Sequence, residues 1–94
     1  MDRFMIRTAC DGVVIAEGEL DLAAVPALRS CLADPSVATL DASGVTFIDS
    51  SAIGVLLAAH RERATTGLRL RAPSEPVRRV LRLSGVDRYL TATD

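Results

Sequence analysis

Residues 41–57, Asp-Ala-Ser-Gly-Val-Thr-Phe-Ile-Asp-Ser-Ser-Ala-Ile-Gly-Val-Leu-Leu, change their periodicity midway. An apolar run stops at Asp49, two hydroxyl residues follow, and helical apolar spacing begins. That switch predicts a strand that hands over to a helix at Asp49-Ser50-Ser51, the corner of an α/β fold. The first turn of a helix leaves backbone N–H groups unpaired and carries partial positive charge, so it welcomes an oxyanion. A serine at such a corner can cap the helix, act as a nucleophile or accept a phosphate.

The flanking sequence supports alternating elements. Phe4 to Ala9 and Val13 to Leu20 are extended runs separated by Asp11-Gly12, a strong hairpin signal because both residues tolerate positive φ. Ala23 to Ala33 places Val25, Leu28 and Leu32 on one helical face, with Pro26 in the first turn and Asp34-Pro35 ending it. Val37 to Leu40 predicts a short buried strand, Ser43-Gly44 a turn, and Phe47-Ile48 a resumption. A helix is expected from Ser51 to about Thr66, with Ile53, Leu56, Leu57, His60 and Ala64 as its stripe and Gly67 beyond its end. Leu68 to Ala72 alternates as a strand with one wet face. Ser74 is expected to cap a third helix containing Val77, Val80, Leu81 and Ser84, closed by Gly85-Val86. A last short strand or turn falls near Tyr89-Leu90. The order β-β-α-β-α-β-α, with a final β, implies a mixed sheet, parallel in its βαβ parts.

Ninety-four residues make one domain, able to bury roughly two-thirds of its unfolded surface. A net charge of −1 without a basic block argues against direct nucleic-acid binding or attraction to anionic lipid. All 11 basic residues are Arg, which reads as composition bias. The longest apolar stretch, Ala52 to Ala59, is too short to cross a bilayer, and Met1-Asp2-Arg3-Phe4 opens straight into strand-like sequence. A cytoplasmic protein without membrane insertion is expected. Cys10 and Cys31 lack metal or redox spacing and read as two small buried hydrophobes.

The parts for catalysis are missing. His60, the only histidine, lies ten residues beyond Ser50. On one rigid helix that is about 15 Å, so it cannot be the base for Ser50. No glycine-dense loop with a lysine suits a nucleotide phosphate, and no His or Cys pair has ligand spacing, so neither metal nor cofactor is expected. Asp41 and Asp49 read as turn residues bonded to local backbone rather than as paired carboxylates. Glu17, Glu19 and Asp21 read as a solvated strand end, and Arg61-Glu62-Arg63 and Arg78-Arg79-Arg82 as solvated helix faces. A non-enzyme is expected.

Read whole, the chain resembles a STAS domain of the anti-sigma factor antagonist type over residues 1–94. The marks are Gly18-Glu19-Leu20-Asp21, Pro26-Ala27-Leu28, Leu40-Asp41-Ala42-Ser43-Gly44-Val45, Phe47-Ile48-Asp49-Ser50-Ser51, Ala72-Pro73-Ser74, Val77-Arg78-Arg79-Val80-Leu81 and Leu83-Ser84-Gly85-Val86. The resemblance implies a single α/β domain, a mixed β-sheet of four to five strands with helices packed mainly on one side. It also implies partner switching. The unphosphorylated protein binds an anti-sigma factor with serine kinase activity and frees the sigma factor. The kinase uses ATP to phosphorylate the serine after the aspartate, here Ser50, and a PP2C-type phosphatase reverses this. Asp21, Asp49, Ser50 and Ser51 map to the partner-binding surface, with one of the two hydroxyls also expected to cap the helix. Ala52 and Ile53 depart from the glycine and leucine common in the family, which bears on partner identity more than on phosphorylation. Two other roles stay open: a non-catalytic STAS subunit of a membrane transporter complex, and a nucleotide or small-molecule sensor using the helix N-terminus as its anion site.

Overall fold

The computed structural model describes residues 3–9, 11–63 and 66–93. Five strands form one sheet in sequence order: β1 (Phe4–Thr8), β2 (Val13–Leu20), β3 (Thr39–Ile48), β4 (Arg69–Arg71) and β5 (Thr91–Thr93). β1 is antiparallel to β2, and every later neighbour is parallel, so the sheet is mixed. Helices α1 (Val25–Leu32), α2 (Ser50–Glu62) and α3 (Glu75–Ser84) each bridge two adjacent parallel strands. Crossovers of this kind are right-handed, and the strands advance in one direction, so all three helices fall on the same face. The α/β expectation holds in full.

The Asp11-Gly12 hairpin forms as expected, with φ of 61° and 74° at its two residues. Cys10 lies outside the described residues. Gly18 is required for a sharper reason: its φ is +86°, and a Cβ there would sit 2.1 Å from the Arg3 carbonyl oxygen. The β1 backbone passes over that spot, and Glu19 N–H donates to Arg3 O at 2.8 Å. Any side chain would separate the two strands.

β3 departs from expectation. Ser43-Gly44 makes no turn, and the strand continues for ten residues beside the eight of β2. The two extra residues are absorbed as irregularities in the pairing, between Ile15 and Glu17 and between Gly18 and Glu19 on the β2 side. Buried positions therefore fall at Leu40, Ala42, Val45 and Ile48, spaced two, three and three, instead of strictly alternating. A bulge moves one residue out of register, and two bulges return the chain to the core face. The Ser-Gly pair that resembles a turn is the site where Asp41 Oδ1 accepts from Ser43 N–H at 3.0 Å and from Ser43 Oγ at 2.7 Å. Asp41 Oδ2 accepts from Arg71 Nη2 at 2.9 Å. Burial raises the Asp41 pKa, but the bonds from Ser43 and Arg71 outweigh it and hold the carboxyl below its ordinary range. Asp41 is local strand chemistry, as the turn reading anticipated in kind.

The core lies between the sheet and its helices. Val14, Ala16 and Leu20 of β2, with Leu40, Ala42, Val45 and Ile48 of β3, meet Leu28, Leu32, Ile53, Leu56, Val77 and Leu81. Each fully buried Leu or Val side chain stabilises the fold by roughly 1.5–3 kcal/mol. Along α2 the buried residues are Ala52, Ile53, Val55, Leu56 and Ala59, while Leu57 and His60 are only half-buried. The apolar arc is rotated from the predicted stripe because α2 packs on α1 while its buried residues share one core with those of the strands. Ala64 of that stripe lies outside the described residues.

Other local expectations shift for identifiable reasons. The first helix begins as a 3₁₀ turn, Leu22–Ala24, and becomes α-helical only at Val25. α2 ends at Glu62, short of Thr66. Ser74 does stand at the N-cap of α3, but its hydroxyl donates to the Val45 carbonyl and not to the helix. It ties α3 to β3 instead. The last strand starts two residues after Tyr89 because Val86–Arg88 first makes a 3₁₀ turn. Cys31 is free and half-buried, less enclosed than expected. Arg63 is no solvated charge: its guanidinium donates to the carbonyls of Val37, Ala59, Leu32 and Asp34, joining the ends of α1 and α2 to the entry of β3.

Candidate functional site

Two equivalent corners stand side by side at the carboxyl edge of the sheet. Leu20 at the end of β2 and Ile48 at the end of β3 are register partners. The next residues are Asp21 and Asp49, and both adopt extended backbone, with φ of −110° and −120°. Each carboxylate then caps the helical turn that follows. Asp21 accepts from Ala23 N–H at 3.0 Å. Asp49 Oδ1 accepts from Ser51 N–H at 3.0 Å, from Ala52 N–H at 3.2 Å, and from the Ser51 hydroxyl. A bond from Asp49 N–H to Leu20 O at 3.2 Å stitches one corner to the other.

This geometry corrects the expectation that a serine hydroxyl caps the helix. The cap is Asp49, and α2 begins at Ser50 rather than Ser51. A carboxylate accepts several donors at once and complements the positive end of the helix, so it outcompetes a hydroxyl at that position. The two serines consequently differ. Ser51 is half-buried and its hydroxyl proton is committed to Asp49. Ser50, the first helical residue, is exposed, and among the described residues its hydroxyl has no hydrogen-bond partner. Only one of the adjacent hydroxyls is presented to an incoming molecule.

The Asp49 carboxyl is held below its ordinary value of 3.8, first by the Ser51 hydroxyl and then, against some burial, by the N–H groups of Ala52, Ser51 and Leu22. Because the folded value lies below the unfolded one, this contribution is complete above about pH 4 and is lost as pH falls through the folded value. Asp49→Ala is expected to cost about 1–2 kcal/mol at neutral pH, the usual loss of an N-cap plus the tie to Leu22. Urea unfolding of both proteins checks this. The gap should narrow as pH falls below about 4 and through the lowered folded value, and an undiminished gap in acid means the charge is irrelevant.

His60 sits on the same continuous helix as Ser50, near its far end. Its Nδ1 accepts from Leu68 N–H at 3.0 Å, and its ring covers Gly67, where a Cβ would come within 2.3 Å of it. Its role is to join α2 to the start of β4. No cluster of three or more metal-ligating side chains occurs among the described residues. No helix among them is long and apolar enough to cross a membrane.

Two residues of this edge escape a sequence reading. Leu22 and Phe47 are large, apolar and exposed, and they flank the two corners. Phe47 reads as part of a buried run until the second bulge of β3 turns it outward. Leu22, between the expected second strand and first helix, stands off the core as the first residue of the 3₁₀ turn.

The chain is thus a five-stranded mixed sheet with its helices on one face and paired aspartate-capped corners at one edge. The family profile described as "Mlab, STAS domain" matches residues 6–92, and the chain belongs to the STAS domain family. Solved structures agree in fold and nearly full coverage. An anti-sigma factor antagonist from Mycobacterium paratuberculosis is 28% identical, with 96% of this chain and 83% of that one covered and a TM-score of 0.75. The anti-sigma factor antagonist SpoIIAA in its unphosphorylated form is 29% identical, covering 97% and 88%, with a TM-score of 0.67. The Bacillus cell fate determinant SpoIIAA in its phosphorylated form is 28% identical, covering 97% and 91%, with a TM-score of 0.63. No curated protein matches the chain. These similar structures are of anti-sigma factor antagonists.

Proposed function

We propose that the protein is a phosphorylation-controlled anti-sigma factor antagonist, with no catalysis of its own. The unphosphorylated form binds an anti-sigma factor that is also a serine kinase, and so frees a sigma factor. That kinase transfers the γ-phosphoryl group of ATP to Ser50, which ends binding, and a PP2C-type phosphatase restores the hydroxyl. The site of action is the cytoplasm. Asp21, Asp49 and Ser51 belong to the same partner-binding edge.

The observation that carries this reading is the division of labour at the corner. Asp49 takes the capping role and fixes Ser51, which leaves the exposed Ser50 hydroxyl, without a partner among the described residues, available at the helix N-terminus. A phosphate there meets the positive end of α2, worth roughly 0.3–1 kcal/mol, so the fold tolerates the modification. The SpoIIAA structure in a phosphorylated form supports a modified domain of this fold remaining folded.

Incubation of the wild-type chain with its kinase partner and ATP, followed by phosphosite mass spectrometry, tests the assignment. Phosphate is expected on Ser50 and absent from Ser50→Ala. Phosphate confined to Ser51 or Thr46 overturns it.

A further inference from the structure

We propose that Leu22 and Phe47 are the apolar anchors of the partner interface, set in an acidic rim formed by Glu19, Asp21 and Asp49. The matching surface on the anti-sigma factor is then an apolar recess bordered by basic side chains. This inference rests on the proposed function and deepens it by assigning the residues that hold the partner.

Exposure is the first ground. Leu22 is 71% and Phe47 48% exposed. Leu22 opens a turn whose geometry is set by Asp21 and the bond from Ala24 N–H to Asp21 O at 3.0 Å. Phe47 lies on the outward side of a bulged strand, opposite Glu19 in register. Exposed apolar groups gathered at one edge and rimmed by polar ones mark interaction surfaces.

Rigidity is the second. Asp49 joins the two segments through the bond from its N–H to Leu20 O at 3.2 Å. The anchors are therefore held in place before binding, which reduces the ordering cost of association. Charge is the third. Glu19 is the register partner of Phe47, Asp21 and Asp49 follow the paired strand ends, and Arg3 lies 3.5 Å from Glu19. The edge is net negative and complements a basic rim. The same acids make added negative charge at Ser50 unwelcome to a partner already placed against them.

Calorimetry with the full chain and the cognate anti-sigma factor tests the inference. Leu22→Ala and Phe47→Ala should each weaken binding about tenfold, and the double variant about a hundredfold, with the melting temperature unchanged. Leu22→Gln, which keeps the length of the side chain and stays polar, should match Leu22→Ala. Leu83→Ala is the control: Leu83 is 82% exposed near the carboxyl end of α3, at the opposite edge, and its loss should leave affinity unchanged. Double-variant affinity within twofold of wild type, while Ser50→Asp still fails to bind, overturns the anchors and leaves the phospho-switch standing. An equal loss in Leu83→Ala also overturns them. A wild-type chain that does not bind the anti-sigma factor at all overturns both readings.

Discussion

Ser50→Asp should bind the cognate anti-sigma factor at least about a hundredfold more weakly than wild type, while melting at the same temperature within a few degrees. The substitution places a carboxylate on the first residue of α2, next to Asp49 and across the paired strand ends from Asp21. Inside the protein that charge is tolerated, since the helix N-terminus offsets part of the repulsion by roughly 0.3–1 kcal/mol. At an interface the balance reverses. A charge must be desolvated against a partner surface shaped for a neutral hydroxyl, which costs several kcal/mol, and each 1.4 kcal/mol is tenfold in affinity. The phosphate itself carries about −1.5 to −2 charges and should act more strongly. Ser50→Ala keeps the surface neutral and should bind like wild type, yet resist inactivation by the kinase and ATP. Calorimetry on the three proteins decides the matter. Equal affinity of Ser50→Asp and wild type would remove the interface as the place where the switch acts.

The largest loss of stability is expected at a residue remote from that switch. Arg63→Ala should cost about 3 kcal/mol, because one half-buried guanidinium satisfies four carbonyl groups at once. Its Nη1 bonds Ala59 O within α2 at 2.8 Å, and Nη2 bonds Leu32 O and Asp34 O at 3.0 Å each. Nε reaches Val37 O just before β3. These acceptors belong to three different segments, two of them helix ends whose last carbonyls lack intrahelical donors. A charged donor is worth more than a neutral one, but water replaces part of it after truncation, so the bonds do not simply add. For a domain of this size the change corresponds to a fall of about 12–24 °C in melting temperature. Arg63→Lys should recover less than half, since a compact ammonium cannot span the fork of acceptors. Denaturant unfolding measures both, and a loss below about 1 kcal/mol for Arg63→Ala would show that water serves these carbonyls equally well.

Arg63 also shows where sequence reading stops. Arg61-Glu62-Arg63 has the composition of a solvated helix end, and Arg61 and Glu62 are indeed exposed. Nothing within four residues of Arg63 indicates that the ends of α1 and the entry to β3 lie within reach of its side chain. The acceptors are supplied by 26 to 31 residues of sequence separation. Arg78 is also not merely solvated, but its Nε donates to an acceptor close in sequence, Pro73 O at 3.0 Å. The Ser43-Gly44 misreading has a related cause. Ser and Gly suit turns, but here the same local bonds that build a turn, from Ser43 to Asp41, build a bulge inside a paired strand. Only the neighbouring strand distinguishes the two.

What the sequence determined by itself was local and periodic. The Asp11-Gly12 hairpin, Pro26 in the first turn of α1, the strand-to-helix change at Asp49 and the alternation of strands with helices all depend on interactions within a few residues. Such signals are sufficient for a mixed α/β sheet and for the corner at Ser50. The tertiary structure decided which groups compete for one another at that corner. Asp49 and two serines could share the capping bonds in several ways. The parallel pairing of β2 with β3 brings Asp21 and Leu22 alongside Asp49, and there the carboxylate takes the backbone donors and the Ser51 proton. Ser50, the first residue of α2, is left exposed while Asp49 and Ser51 bond to each other, a condition set by the packed corner and not by the residue type.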